Sequence, residues 1–366
     1  MENQKYQVGV LFGGRSSEHE VSLMSARSVL DALDLEKYNI VQIGITHDGN
    51  WFAGENVLDS MAASQTSHLL PITMLPDPTH KGLFTFCDGQ YQHYADIDVY
   101  FPVLHGTYGE DGTLQGLFEM AEVAYVGAGV VGAAVGMDKA IFKDIMIANE
   151  IPVVDGIVVL KFQLETEMET ILDMVEKFSP YPIFTKPANM GSSVGVMKCR
   201  SRSDLYEGLI EASRFDRRVL IERGINAREI EISVLGNDTP QASIPGEVNP
   251  EADFYSYNAK YHDGLSQLYI PAPIPSETAE QMRYLAIKAY QAIDCAGMAR
   301  VDFLLDQDSG EFYVNEVNTL PGFTEISMYP KLWDASGLPY PQLIDRLIEL
   351  ALARRIERNQ IELRYQ

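Results

Sequence analysis

One stretch of the chain, residues 299–323 (ARVDFLLDQDSGEFYVNEVNTLPGF), constrains the fold more than any other. Two runs of strand-forming residues, 301–305 and 311–317, flank a loop that is rich in turn formers. This order predicts a β-hairpin, because a turn between two such runs brings them together as antiparallel strands. The expected register pairs Leu305 with Glu311 across the loop.

Polar side chains occupy one side of this predicted hairpin, because residues two apart on a strand share a face. They are those of Arg300, Asp302, Glu316 and Asn318. Carboxylate and amide oxygens suit Mg²⁺, which usually completes its octahedron with water and substrate phosphates. The alternative is a solvated face with a salt bridge from Arg300, although Asp and Glu are depleted in ordinary strands. At the hairpin exit, Gly322 after Pro321 can present a backbone N–H to an oxyanion.

Composition limits the classes of protein that the chain can represent. With 366 residues it should divide into two or three domains. A formal charge of −24 argues against nucleic acid or a membrane surface as a partner, because both are anionic. Phosphate ligands remain possible, since they respond to local cations.

Several signals predict a cytoplasmic location. The three cysteines, Cys87, Cys199 and Cys295, are far apart and odd in number, which favours reduced thiols. The start, MENQKYQ, has no basic segment followed by an apolar core, so we expect no signal peptide. The most apolar stretch, 123–137, is short and broken by glycines, and we predict no membrane span there.

A doubly wound α/β domain is predicted for the first part of the chain. Apolar strands are expected at 7–12, 40–45 and 98–104, with a helix from about 18 to 33 after the first strand. Residues 127–136 are predicted to form a connector of small residues. Patterning gives no clear assignment for 60–92.

Glu18 and His105 are candidate ligand-binding residues, because open α/β sheets bind ligands at the carboxyl ends of their strands. Ser17 and Glu20 fit a capping box, which leaves Glu18 in the first helical turn, where the helix dipole stabilises an anion. An exposed first-turn acid is an equally good interpretation of Glu18. For His105 the alternative is a packing role.

Residues 187–196 (PANMGSSVGV) resemble a phosphate-binding loop. Lys186 precedes the glycines on a predicted strand, whereas in a Walker A motif the lysine follows them. Ser192 and Ser193 add hydroxyl donors, so the loop could close over a triphosphate. A plain Gly/Ser hairpin turn is the alternative. A helix carrying Lys139 in its first turn is expected before this region.

Two further segments suggest nucleotide binding. Glu222 and Glu229 bracket a connection between two predicted strands, where backbone groups could bind adenine and a carboxylate could bind ribose hydroxyls. Residues 254–270 (FYSYNAKYHDGLSQLYI) form an aromatic, polar stretch of a length that is uncommon in a loop without a role, and we interpret it as a lid.

Together these motifs resemble the ATP-grasp superfamily and, within it, the D-alanine–D-alanine ligase family in its longer, A-type form. The resemblance covers nearly the whole chain and rests on segments in family order, namely GGRSSEHEVSL, FPVLHGTYGEDGTLQG, MDKAIFK, KPANMGSSVGV, EIEISVLG, AKY, GMARVDF and NEVNTLPGF. It implies an N-terminal doubly wound α/β domain (1–137), a central ATP-grasp subdomain (138–228) and a C-terminal α+β subdomain with the metal site and lid (229–366).

The resemblance also implies roles for individual residues. ATP is expected to contact Lys139, Lys186, Ser193, Glu222, Gly224, Ile225, Glu229 and Lys260. Two Mg²⁺ ions, for which Mn²⁺ can substitute, are expected on Asp302, Glu316 and Asn318. The expected catalytic residues are Glu18, Ser192, Tyr261, Arg300 and Gly322. The first D-alanine is expected near Glu18 and His105, and the carboxylate of the second at Ser327.

The reaction implied by the resemblance is ATP-dependent ligation of two D-alanines through D-alanyl phosphate, for peptidoglycan precursor synthesis, in a cytoplasmic homodimer. Two alternatives remain open from the sequence. One is a ligase that joins D-alanine to D-lactate or another acceptor, against which the pair Lys260-Tyr261 argues. The other is a catalytically silent nucleotide-binding sensor, which would have no need of the oxyanion pair Arg300 and Gly322.

Overall fold

The computed structural model describes residues 5–250, 266–324 and 326–362. Its strands are β1 (Tyr6–Gly13), β2 (Tyr38–Ile45), β3 (Trp51–Ala53), β4 (Leu70–Pro71), β5 (Thr73–Met74), β6 (Leu83–Cys87), β7 (Gln90–Ala95), β8 (Val99–Val103), β9 (Ala124–Tyr125), β10 (Gly156–Leu160), β11 (Ile183–Pro187), β12 (Met197–Cys199), β13 (Arg218–Arg223), β14 (Ala227–Gly236), β15 (Gln241–Ala242), β16 (Gly246–Pro250), β17 (Ser266–Tyr269), β18 (Gly297–Asp306) and β19 (Phe312–Asn318). Its helices are α1 (His19–Ala32), α2 (Val57–Ala62), α3 (Thr113–Met120), α4 (Val130–Met137), α5 (Lys139–Ala148), α6 (Lys161–Phe178), α7 (Arg202–Phe215), α8 (Ser276–Ala292), α9 (Met328–Ala335) and α10 (Tyr340–Arg358).

The N-terminal part is built on a six-stranded sheet in the order β4-β3-β2-β1-β8-β9. Its inner strands β1, β2 and β8 run parallel, and their apolar runs are buried, as parallel strands covered on both faces require. The α/β prediction for this part is confirmed. The unassigned stretch 60–92 contributes β4 and most of a separate three-stranded sheet, β5-β6-β7.

Two further sheets follow. The central sheet has the order β10-β13-β11-β12 and is covered by α6 and α7. The C-terminal sheet has the order β17-β16-β14-β18-β19, with β15 on β14, and packs against α8. This succession agrees with the predicted subdomains, whose boundaries at 137/138 and 228/229 remain predictions.

Helix α10 leaves the C-terminal part and packs into the core of the N-terminal part. Leu343, Ile344 and Leu347 are buried in one cluster with Val8 and Phe101 of the parallel sheet. The last helix therefore completes a core that the first strands begin. None of the helices in the described ranges is long and apolar enough to cross a bilayer.

The predicted hairpin is confirmed, but its register is wrong. Leu305 pairs with Phe312, not with Glu311. The Asp306 carboxylate accepts hydrogen bonds from the backbone N of residue 308 at 2.9 Å and from the hydroxyl of residue 309 at 3.0 Å. These bonds close a local turn, so Glu311 remains in the loop. The partner of Leu305 is therefore one residue later than predicted.

Two local predictions in the N-terminal part are also wrong. The N-cap residue of α1 is Glu18, and not Ser17 as the predicted capping box requires. The Ser16 hydroxyl accepts from Glu18 N at 3.1 Å and donates to the His105 carbonyl at 2.6 Å, which fixes the start of the helix. The connector 127–136 contains helix α4, whose small residues let it pack closely on its neighbours.

Candidate active site

A cavity of about 1050 Å³ is lined by the central and C-terminal sheets. Every described residue that was predicted to contact ATP lines it, namely Lys139, Lys186, Ser193, Glu222, Gly224, Ile225 and Glu229. Volume and lining suit a nucleotide. Lys260 and Tyr261, with most of the predicted lid, lie outside the described residues, and their roles remain predictions.

Glu222 is the centre of a buried ion cluster at one wall of this cavity. Its two carboxylate oxygens lie 2.5 Å from Lys143 Nζ and 2.5 Å from Lys186 Nζ. Burial alone would raise the pKa of Glu222, but the two lysines outweigh it and lower the pKa to about 2. Lys143 also donates to the Val154 carbonyl at 2.7 Å. The cluster holds Lys186 at the wall of this cavity. Lys143 was not among the predicted site residues.

Three carboxylates form a row across the C-terminal sheet. Glu231 on β14 is opposite Asp302 on β18, which is opposite Glu316 on β19. A shift in the ladder between Asp302 and Phe303 brings Asp302 and Glu316 into direct pairing. Sequence reasoning missed Glu231, although its two-residue spacing from Glu229 on one strand was a usable signal.

Arg300 is held at this row by two carboxylates. Its guanidinium makes a bidentate pair with Asp302, at 2.7 and 2.6 Å, and lies 3.1 Å from Glu231. Such a fork fixes the orientation of the guanidinium plane. Asn318, the direct partner of Arg300, accepts from Leu320 N through Oδ1 at 3.1 Å, and that oxygen keeps a second lone pair.

The donor chemistry of this face fits a hard divalent cation. Asp302 and Glu316 supply carboxylate oxygens and Asn318 an amide oxygen, all on adjoining positions of one sheet face. Lys139 Nζ lies 3.9 Å from Glu316 Oε2, so a cation for phosphate adjoins the acidic face. The structure thus brings the three predicted metal ligands together on one sheet face.

A second cavity, of about 910 Å³, lies against the N-terminal part. It is lined by eight of the other described site residues, namely Glu18, His105, Ser192, Arg300, Glu316, Asn318, Gly322 and Ser327, whereas Asp302 lines the first cavity. The residues that line both cavities are Lys139, Ser192, Glu231, Arg300 and Glu316. The two cavities therefore meet beside residues that were predicted to contact ATP, to bind metal or to take part in catalysis.

Glu18 and Ser192 connect the N-terminal part to the phosphate loop. The Ser192 hydroxyl donates a hydrogen bond to Glu18 Oε1, as the resemblance implied for this pair. Ser192 and Ser193 both have left-handed backbone, with φ of 50° and 59°. Two adjacent non-glycine residues in this region store strain, which is typical of functional loops.

Gly322 and Ser327 lie side by side in the second cavity. A Cβ on Gly322 would come within 2.9 Å of Ser327 Oγ, so a side chain there would push the hydroxyl away. Ser327 Oγ is placed by Thr324, whose hydroxyl lies 2.7 Å away and whose N donates at 3.2 Å. Glycine at 322 thus gives a ligand access to the backbone and the serine together.

His105 is buried beneath the second cavity. Its Nε2 lies 3.0 Å from Ser25 Oγ and its Nδ1 lies 3.5 Å from Glu110. Burial lowers the pKa of His105, but Glu110, with a smaller effect of Glu18, raises it overall. The position agrees with a packing role under the cavity as well as with a ligand-facing one.

Two family models match the chain, described as D-ala D-ala ligase N-terminus over residues 7–128 and D-ala D-ala ligase C-terminus over residues 145–349. Three sheet-based units with two joined cavities fit the class that these family models indicate, a multidomain α/β ligase of the ATP-grasp superfamily. Within that class, the chain belongs to the D-alanine–D-alanine ligase family.

Relatives match over nearly the full chain. The D-alanine–D-alanine ligase of Heliobacterium modesticaldum is 51% identical over 350 residues, which is 96% of this chain and 95% of that protein. The ligase of a Thermoanaerobacter species is 50% identical over 95% of this chain and 97% of its own.

Solved structures agree with these relatives. The D-alanine–D-alanine ligase from Coxiella burnetii has a TM-score of 0.83 at 36% identity and covers 97% of this chain and 96% of its own. The VanG D-Ala:D-Ser ligase from Enterococcus faecalis has a TM-score of 0.85 at 34% identity, with coverages of 95% and 100%.

Proposed function

We propose that this protein joins two molecules of D-alanine to D-alanyl-D-alanine, with cleavage of ATP to ADP and phosphate, for peptidoglycan precursor synthesis. The observation that carries the proposal is the junction of the two cavities, at which Lys139, Ser192, Arg300 and Glu316 line both. A γ-phosphate from one side and an amino-acid carboxylate from the other would meet there.

In the first step, a carboxylate oxygen of one D-alanine attacks the γ-phosphorus, and ADP leaves. Lys139 and Lys186 offset the repulsion between the two anions, because both residues line the nucleotide cavity. Glu18 orients the ammonium group of this D-alanine. A divalent cation on Asp302, Glu316 and Asn318 would neutralise phosphate charge.

In the second step, the amine of another D-alanine attacks the acyl carbon, and phosphate leaves. Arg300 and the Gly322 N–H stabilise the oxyanion of the tetrahedral intermediate, and the loss of one such donor typically costs about 10²- to 10³-fold in rate. Arg300 suits this role because Asp302 and Glu231 fix its guanidinium in advance. Ser327 binds the carboxylate of the second D-alanine.

The decisive experiment measures ADP release and product mass with D-alanine alone, with L-alanine as the control substrate. We expect release with D-alanine only, and a dipeptide product. D-Serine and D-lactate, each added with D-alanine, test the acceptor. A product that forms only with D-serine or D-lactate would contradict the proposed acceptor, and no ADP release with Mg²⁺ present would favour a nucleotide-binding sensor.

Four finer proposals accompany this function: two Mg²⁺ ions with Mn²⁺ as a substitute, a homodimer, a cytoplasmic location, and closure by residues 254–270. Free thiols on Cys87, Cys199 and Cys295 support the reducing compartment. Metal-dependent turnover and light scattering of the purified protein test the first two proposals. A monomer at all working concentrations would refute the homodimer.

A further inference from the structure

A cluster of two histidines and one glutamate lies outside the proposed active site, at the carboxyl edge of the N-terminal sheet. His19 is the first residue of α1, which follows β1, and His47 lies in the turn that follows β2. Because β1 and β2 are parallel and Gly13 is opposite Ile45, the segments after both strands emerge together. Glu20, beside His19 in the chain, completes the group.

We propose that His19, Glu20 and His47 form a binding site for a transition-metal dication of the Zn²⁺ class. Each residue offers one ligand atom, and all of these atoms lie within 4.8 Å of one another. Within the described ranges, this is the one group of three or more His, Cys, Asp or Glu residues with such convergence. Two imidazoles and a carboxylate are a ligand set used by zinc sites with an open fourth position.

The hydrogen bond of His19 prepares it as a ligand. Its Nδ1 lies 2.8 Å from the Gly14 carbonyl oxygen, which can only accept, so Nδ1 carries the proton and donates. In the neutral ring the lone pair is then on Nε2. A backbone carbonyl behind one ring nitrogen is the usual support of a metal-binding histidine, because it fixes both tautomer and ring orientation.

The spacing between the exposed members leaves room for an ion. His47 Nε2 lies 4.0 Å from Glu20 Oε1, whereas ligand atoms around tetrahedral zinc are about 3.4 Å apart, from bond lengths near 2.1 Å. The His47 ring is stacked on that of His19, with centroids 3.9 Å apart, and must tilt to aim a nitrogen at the ion. Side-chain exposures of 66% for His47 and 75% for Glu20 allow that movement.

A surface ion pair is the competing explanation, and other histidines show what such a pair looks like. His93 and Asp96 are in direct contact at 2.9 Å, as are His80 and Asp77. Neither pair has a third ligand within the described residues. An exposed ion pair contributes little to stability. An ion pair between His47 and Glu20 would also not account for the position of His19, which is buried and bonded to a backbone carbonyl.

The test is a Zn²⁺ titration of metal-stripped full-length protein against a chromophoric chelator, in excess Mg²⁺ so that the oxygen-only face is occupied. Co²⁺ absorption in the visible range, which four-coordinate nitrogen and oxygen ligation intensifies, gives a second readout. Thiolate ligation would give a charge-transfer band in the near ultraviolet, and this band would reveal any binding of Co²⁺ by cysteine.

The variants are H47A and E20Q, with H93A as the matched control, since His93 also pairs with a carboxylate on the surface. We expect about one equivalent of Zn²⁺ in wild type and H93A, and at least a tenfold weaker affinity in H47A and E20Q. No binding by wild type, equal binding by H47A, or equal loss in H93A would overturn the site. H19A is a poor probe, because His19 is buried.

Discussion

Replacement of Glu222 by glutamine provides the sharpest test of the nucleotide cavity. The substitution removes the carboxylate that contacts both Lys143 and Lys186, each 2.5 Å away. Glutamine has nearly the same shape, so packing is kept while the charge is lost. The variant leaves two buried ammonium groups facing a neutral amide.

The expected loss follows from the pKa of Glu222. The lowering from its ordinary value of 4.5 to about 2 corresponds to about 3 kcal/mol, at about 1.4 kcal/mol per pH unit. Removal of one partner from a buried ion pair typically costs about 3–5 kcal/mol, which agrees. We therefore expect the free energy of opening of the central sheet to fall by about 3 kcal/mol at pH 7 in E222Q.

The effect has a definite pH dependence. Because the folded-state pKa is depressed, the stabilisation is fully present above the unfolded pKa of 4.5 and is lost as pH falls towards 2. The difference between wild type and E222Q in the free energy of opening should thus narrow to about 2 kcal/mol near pH 3.5. Protonation of Glu222 between pH 4.5 and about 2 should lower the stability of wild type. E222Q has no such contribution, because glutamine does not titrate.

Native-state hydrogen exchange of amides in β11 and β13 is the suitable assay, because a chain of several units need not unfold in one step. E211Q is the matched control, since Glu211 forms a surface pair with Arg214 at 2.7 Å, and we expect a change below about 0.5 kcal/mol. A loss of less than 1 kcal/mol in E222Q, or a gap that does not change with pH, would refute the reasoning.

Three further predictions concern turnover. S192A removes the hydroxyl that donates to Glu18. The kcat/KM for D-alanine should fall about 10- to 100-fold, since a hydrogen bond to a charged group is worth about 1.5–3 kcal/mol. An unchanged kcat/KM would show that this hydrogen bond plays no part in the reaction. E231Q leaves Arg300 with Asp302 as its charged partner, and kcat should fall about tenfold or more with little change in the KM for ATP, as measured by ADP release. Chelation of divalent ions should abolish ADP release and excess Mg²⁺ should restore it, whereas full activity in chelator would remove the metal assignment.

The hairpin shows how far sequence reasoning reaches in this chain. Alternation along β18 and β19 was sufficient to place Arg300, Asp302, Glu316 and Asn318 on one face. The register was not accessible, because it depends on the side-chain turn at Asp306 and on the ladder shift between residues 302 and 303. The turn and the ladder shift each move the strand pairing by one residue. Together they move it by two residues, so the four predicted side chains still share a face.

Other features depend on contacts between distant segments. Lys143 has an ordinary place in an amphipathic helix, and its role in the ion cluster emerges when β13 brings Glu222 against it. Glu231 becomes part of the acidic row through pairing with Asp302. Helix α4 was missed because its glycines and valines weaken the local helix signal. The close approach of neighbouring elements nevertheless requires small residues there.

The placement of α10 has a consequence for synthesis on the ribosome. The strands of the parallel sheet are synthesised well before Leu343, Ile344 and Leu347, which cover part of its core. Until they leave the exit tunnel, apolar surface around Val8 and Phe101 lacks its cover, and exposed strands of that kind are prone to aggregate. The nascent N-terminal part therefore keeps an aggregation-prone apolar surface until these leucine and isoleucine side chains can pack on it.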